Sequence, residues 1–284
     1  MTMTARPLAA AALVAALGLP CMAQAKLGEP VFEPVVSAPV ATVPVPAPAP
    51  ARTVLSFTVG AGAVYAPEFE GSDDYEIRPD ISFGQAYLGL RSGRSFGRVD
   101  PDAPISGFGI RPSFRYVGER DVDDDSPLAG LPDVDGSLEL GLGVSYEQPA
   151  YRVFADVRYG VTGHHAFTGE LGADAIARPS DRLTIFGGPR VFLGTDSYAD
   201  TYFSVDEDAS LASGLDEFDA GGGVLGAGAE VTARYRLGTD WGIEGGVRYN
   251  RLTGDAGDSP IARAGDRDQY EVRLGLTRRL TFSF

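Results

Sequence analysis

Few residues in this chain have the types needed for chemistry: two adjacent histidines, one cysteine, and acids gathered into runs. His164 and His165 follow Gly163, and a loop histidine pair is a natural starting point for a metal site. Neighbouring side chains diverge, however, and no acid or cysteine stands at ligand spacing, so the expectation is a solvated loop without metal. Nucleophilic catalysis would need a serine beside one of these histidines, and the nearest serines in sequence lie well away. The run Asp121-Val122-Asp123-Asp124-Asp125 begins like a calcium loop. Ser126 occupies the place of its tight-turn glycine, and Pro132 that of its closing glutamate. The stretch from Thr195 to Asp219 carries eight acids and no cation. A solvated acidic rim is the simpler reading, and divalent ions beside a lipopolysaccharide layer the sharper one. No cofactor and no catalytic residue are expected.

The elements that must position these residues are strands. Tyr270, Val272, Leu274, Leu276, Leu280, Phe282 and Phe284 share one face of the C-terminal segment. Glu271, Arg273, Gly275, Thr277, Arg279, Thr281 and Ser283 share the other, and only Arg278 interrupts the apolar side. From Val54 onward similar segments recur, separated by turn chemistry. Leu55, Phe57, Val59, Ala61, Ala63 and Tyr65 oppose Ser56, Thr58, Gly60 and Gly62; Leu138, Leu140, Leu142, Val144 and Tyr146 oppose Glu139, Ser145 and Glu147. Alternating segments of roughly ten residues, with aromatic residues at strand ends, predict a transmembrane antiparallel β-barrel. Leu142 should face lipid and Gly143 the lumen, so that an arginine should be tolerated better at Gly143 than at Leu142, subject to crowding.

Connections are short at Gln148-Pro149, Arg178 to Asp181 and Gly238 to Asp240. They are long at Gly118 to Gly136, Thr195 to Asp219 and Thr253 to Asp268. With the C-terminus in the periplasm, the long ones fall outside. Residues 85–104 fit either a short hairpin of Ala86–Arg91 with Arg94–Asp100 or an irregular connection. The hairpin gives about twelve strands and the connection ten; twelve is preferred.

The face assigned to the lumen carries arginines 78, 111, 115, 152, 158, 182, 190, 234, 236, 248, 251, 273 and 279. Acids 76, 80, 139, 147, 156, 170, 174, 230, 244 and 271 stand against them. Near-balanced charge on long side chains predicts an ion-pair network that leaves at most a narrow passage. The formal net charge of −15 argues against nucleic-acid binding.

The N-terminal residues read as a secretory signal: Arg6, an apolar stretch from Leu8 to Leu19, and Ala23-Gln24-Ala25, with cleavage expected between Ala25 and Lys26. Cleavage would remove Cys21, the only cysteine. Residues 26–52 are a proline-rich periplasmic linker, extended and without usable period. The barrel is assigned to residues 53–284. No apolar run near 18 residues occurs beyond the N-terminus, so helical membrane spanning is excluded.

The stretch Tyr65-Ala66-Pro67-Glu68-Phe69-Glu70-Gly71-Ser72-Asp73-Asp74 resembles the N-terminal hairpin of the MipA/OmpV family of outer-membrane proteins. Tyr202, Phe203, Ser213 and Gly214 in the Thr195 loop, Ser259 and Pro260 in the last loop, and the terminal aromatic strand agree with it. Ser204 departs from the family, where glycine is expected. The resemblance implies an outer-membrane β-barrel set in lipid and lipopolysaccharide, without catalysis. It also implies that Phe282 and Phe284 are read by the barrel-assembly machinery. One branch of the family acts as a scaffold that brings together a lytic transglycosylase and a murein synthase. A narrow pore and a surface adhesin are the alternatives.

Overall fold

A computed structural model describes residues 52–97, 106–122 and 128–284. The cleavage site Ala25/Lys26, the proline-rich segment and Asp123–Asp125 lie outside the described residues. Eleven strands are described: β1 (Val54–Pro67), β2 (Tyr75–Gly89), β3 (Ser95–Gly97), β4 (Gly107–Val117), β5 (Ser137–Gln148), β6 (Tyr151–Gly160), β7 (Phe167–Ser180), β8 (Leu183–Gly194), β9 (Gly223–Arg236), β10 (Trp241–Leu252) and β11 (Asp268–Ser283). Four short helices sit in the long connections: α1 (Asp196–Phe203), α2 (Glu207–Ser213), α3 (Gly254–Asp258) and α4 (Pro260–Ala264).

The strands form one antiparallel sheet in the order β3-β2-β1-β11-β10-β9-β8-β7-β6-β5-β4. The C-terminal strand completes it by pairing with the first, from Val54 with Ser283 to Tyr65 with Val272. The sheet's two edges also face each other. Phe83 of β2 packs 5.7 Å from Phe114 of β4, and the Arg78 guanidinium lies 5.8 Å from the Tyr116 ring. The result is a nearly closed barrel, which leaves little edge exposed to lipid.

One sequence expectation is corrected. Ala86 to Gly89 are not a separate strand; they continue β2, because the long β1 offers partners along its whole length, down to Val54 opposite Gly89. The expected hairpin forms from the end of β2, with Tyr87 to Gly89 pairing with Ser95 to Gly97. The chain then turns into β3. Both β3 and β4 run toward the helical end, and residues 98–105 between them lie outside the described residues.

The alternation of the strands produces two unlike faces. Outward residues such as Ile110, Leu142 and Leu274 are 76, 66 and 64 % exposed and form the apolar belt. Tyr65 stacks on Tyr75 at 5.2 Å and Tyr249 packs, tilted, against Tyr270 at 5.2 Å near the external end, where amphipathic rings suit the membrane interface. Arg278, the interruption in the belt, places its guanidinium 5.0 Å from the Trp241 ring, where the π face screens the charge. Gly143 faces the lumen, and the crowding allowed for there is present. A Cβ there would lie 1.8 Å from Asp156 Oδ1, so the lumen is already occupied at this level.

Candidate functional site

The interior of the barrel is built by inward positions on β4 to β11. Glu139 of β5 is fully buried and accepts from Arg158 Nε at 2.9 Å, Thr168 Oγ1 at 2.8 Å and Arg115 Nη1 at 3.2 Å. Asp156 of β6 takes Arg111 Nη2 and Ser113 Oγ, both at 3.0 Å. Asp174 of β7 takes Arg152 Nε at 3.0 Å and Arg190 Nη2 at 2.7 Å, while Glu170 takes Arg248 Nη2 at 2.8 Å. Arg234 pairs with Glu244, and Arg273 with Glu271. The paired charges lie on the same strand, on neighbouring strands or up to three strands apart, as the shared inward parity of arginines and acids anticipated.

Sequence reading missed the aromatic filler. Phe154, Phe186 and Phe192 occupy the same inward parity as the arginines and are buried. Arg111 lies 4.4 Å from the Phe154 ring centre, Arg115 4.4 Å from that of Phe192, and Arg234 4.8 Å from that of Phe186. Guanidinium planes against ring faces lower the cost of burying both. Between Gly62, Asp80, Ser82, Arg273 and Gly275 one cavity measures about 10 Å³, near the limit for one water, and toward the periplasmic mouth a second, lined by Thr58, Arg234, Glu244, Thr277 and Arg279, measures about 130 Å³.

The external end is closed by its loops. Asp206 caps α2 by accepting from the Ala209 N–H at 2.8 Å, and Gly214 ends that helix at φ 75°, a conformation glycine adopts without strain. α1 buries Tyr198, Tyr202 and Phe203 against Val117, Ala166, Phe192, Leu225 and Leu252. A second cluster joins Leu128, Leu131, Val205, Ala209 and Ile261. The acid-rich Thr195 loop is therefore not a simple solvated rim. Its acids stay outside while its apolar residues build a cap.

The residues that carry the family resemblance interlock this cap. Glu70 reaches down to pair with Arg115. Gly71 donates its N–H to Gln269 Oε1 at 3.3 Å, and Gln269 Nε2 donates to the Ser72 carbonyl at 3.1 Å, tying the first hairpin to the start of β11. Ser72 Oγ also accepts the Asp74 N–H at 3.1 Å, shaping the turn, whereas Asp73 is exposed. Tyr65 and Pro67 lie at the top of β1. Ser259, fully buried, donates to the Phe203 carbonyl at 2.6 Å and caps α4, in which Pro260 holds the first position. Ser213 closes α2 by donating to the Ala209 carbonyl. Arg120, also missed from sequence, donates to the carbonyls of Tyr202 and Pro132 at 3.1 and 3.3 Å. Burial lowers the pKa of Arg120 and pushes the Tyr198 and Tyr202 phenols up.

The histidines part company. His165 is exposed at φ 46°, but His164 is buried, which corrects the solvated-loop expectation. Its Nδ1 accepts the Ala166 N–H at 3.0 Å, so a neutral ring presents Nε2–H toward Glu139 Oε1 at 3.3 Å. The rings of Tyr198 and Tyr202 pack edge-on at 5.0 and 5.7 Å. Its burial follows from filling the joint between lumen and cap. Among the described residues no three histidines, cysteines or acids converge as a metal site. Gly93-Arg94-Ser95-Phe96-Gly97 spells G-x-S-x-G, the pattern of a nucleophile elbow. It forms the turn into β3 at the periplasmic end, rather than a strand-to-helix elbow, and His164 belongs to the opposite end. Phe282 and Phe284 are exposed on the outer face of the last strand, Phe282 stacked 5.9 Å from Phe57.

These features define an integral β-barrel of the outer membrane with a paired, filled interior and a folded external cap. The sequence profile of MltA-interacting protein MipA matches residues 59–280, and the chain belongs to that family. Among solved structures it is similar to Neisserial surface protein A, at 10% identity over 80% of this chain and 97% of that one (TM-score 0.28). It is also similar to an outer membrane channel from Pseudomonas putida F1, at 11% over 81% and 95% (0.38), and to the translocator domain of autotransporter NalP from Neisseria meningitidis, at 10% over 81% and 88% (0.33). No curated protein matches the chain.

Proposed function

We propose that this protein is a non-catalytic scaffold that gathers a lytic transglycosylase and a murein synthase at the periplasmic face of the outer membrane. The observation that carries the reading is the closed interior. A barrel whose lumen is packed with paired arginines and carboxylates, and whose outer end is covered by interlocked loops, offers surfaces rather than a passage. The family's name, MltA-interacting protein, supports a protein partner over a solute. The separation of Ser95 from His164 supports the absence of a catalytic triad. In the same reading, Phe282 and Phe284 are recognised by the assembly machinery, and the leader is cut between Ala25 and Lys26.

The test is photo-crosslinking in intact cells from the short turns at Gln148, Ser180 and Thr239, followed by identification of the products. Murein hydrolase and synthase among them support the scaffold. Products confined to lipid and assembly factors overturn it.

A further inference from the structure

Arginines inside the barrel and arginines at its periplasmic mouth have different partners. Arg111, Arg158 and Arg190 face carboxylates. At the mouth, Arg178 Nη1 donates to the Pro149 carbonyl at 2.5 Å, and Arg279 Nε to Ser56 Oγ at 3.0 Å. Arg182 is exposed in the β7–β8 turn, its carbonyl accepting the Arg236 N–H at 2.8 Å. Among the described residues Arg178, Arg182 and Arg279 make no ion pair. The β2–β3 turn adds exposed Arg91 and Arg94, and the acids of these turns are Asp181 and Asp240. The external cap has the reverse balance, with Asp206, Glu207 and Asp208 together at the start of α2.

We propose that this arc of guanidinium groups is the docking surface for an acidic segment of a periplasmic protein; the inference rests on the scaffold reading above. A guanidinium presents a planar fork that pairs a carboxylate through two parallel bonds. The arc passes from the β2–β3 turn across β11 to β8 and β7, too wide for one carboxylate and suited to several along a peptide. Lipid phosphates are the wrong occupant on grounds of parity. Arg178 shares the inward face with Asp174, Arg182 with Thr184, and Arg279 with Ser56, whereas Ala177, Ile185 and Leu280 take the outward positions. The excess of positive charge at the mouth, five arginines against Asp181 and Asp240, would also steer an acidic partner, with an effect that falls as salt rises.

The test uses the full-length protein in phosphatidylcholine nanodiscs and a fluorescent decaglutamate peptide, read by anisotropy. The comparison is wild type against the triple variants R91E/R182E/R279E and R91K/R182K/R279K, each first checked for heat-dependent gel mobility. Wild type is expected to bind with a salt-sensitive affinity, the glutamate variant at least about tenfold more weakly (about 1.4 kcal/mol), and the lysine variant between the two, since it keeps the charge but loses the fork. Equal binding by wild type and the glutamate variant overturns the proposal. So does a preference of the same arginines for phosphatidylglycerol vesicles or soluble muropeptides over the peptide. In cells, if wild type and the glutamate variant crosslink to a lytic transglycosylase equally, the scaffold stands and this surface fails. If the peptide binds as expected but no murein enzyme is captured, the surface stands and the scaffold fails.

Discussion

At the external end Arg115 is held between Glu70 and Glu139, and the loops above it bury Tyr198, Tyr202 and Phe203. At the periplasmic end Arg178 and Arg279 rest on a carbonyl and a hydroxyl, and the β5–β6, β7–β8 and β9–β10 connections are short turns. The same residue type is used to seal one end and is left available at the other. Arg115 differs from Arg178 and Arg279 in having acids within reach, while the buried Arg120 of the cap is compensated by two carbonyls, since a buried guanidinium is tolerable only when compensated.

The contrast can be broken most severely at Glu139. Glu139→Ala would leave Arg115 and Arg158 without their shared carboxylate, and the loss is expected to be about 3–5 kcal/mol. The readout is the urea concentration at which the heat-shifted gel band is lost; a midpoint like that of wild type would mean the network is not what holds the lumen. Leu142→Arg comes next. An arginine facing lipid near mid-strand costs about 2–4 kcal/mol, measured as a lower yield of folded protein in detergent or vesicles.

Ser259→Ala should act on the cap alone. It strands the Phe203 carbonyl for about 1–3 kcal/mol, so protease should cut the Thr195–Asp219 region faster while the barrel band persists. A subtler probe is alkaline pH. The Tyr198 and Tyr202 pKa values are raised by burial, so their contribution is complete below the unfolded tyrosine value of about 10 and is lost as pH rises through the folded values. Cap protection against protease should therefore fall above about pH 10. Tyr202→Phe should blunt that fall at little cost near neutrality, because the buried Tyr202 hydroxyl has no hydrogen-bond partner among the described residues. At the other end, Arg279→Ala should move stability by no more than about 0.5 kcal/mol.

Much of this architecture was legible in the chain because a period of two is a strong signal. The lipid belt, the lumen arginines, the pairing acids and the long and short connections all follow from alternation and turn residues. What escaped depends on which residues meet across the barrel. Phe154, Phe186 and Phe192 sit at lumen parity yet read as ordinary strand residues until arginines are seen stacked on them. Gln269 and Ser259 gain their importance from partners about 197 and 56 residues away, and no local pattern announces that. His164 looked solvated for the same reason, since its neighbours Glu139 and Tyr198 come from separate elements. The motif residues were legible as a resemblance, but their shared task of locking the cap emerges only in three dimensions.

The central claim is that the barrel is sealed and works through its surfaces, and ion conductance addresses it most directly. Purified full-length protein in planar bilayers, with insertion verified by heat-dependent gel mobility of the recovered protein, should show no porin-like steps at neutral pH. Steady, large conductance steps under those conditions would contradict the closed lumen and favour a pore.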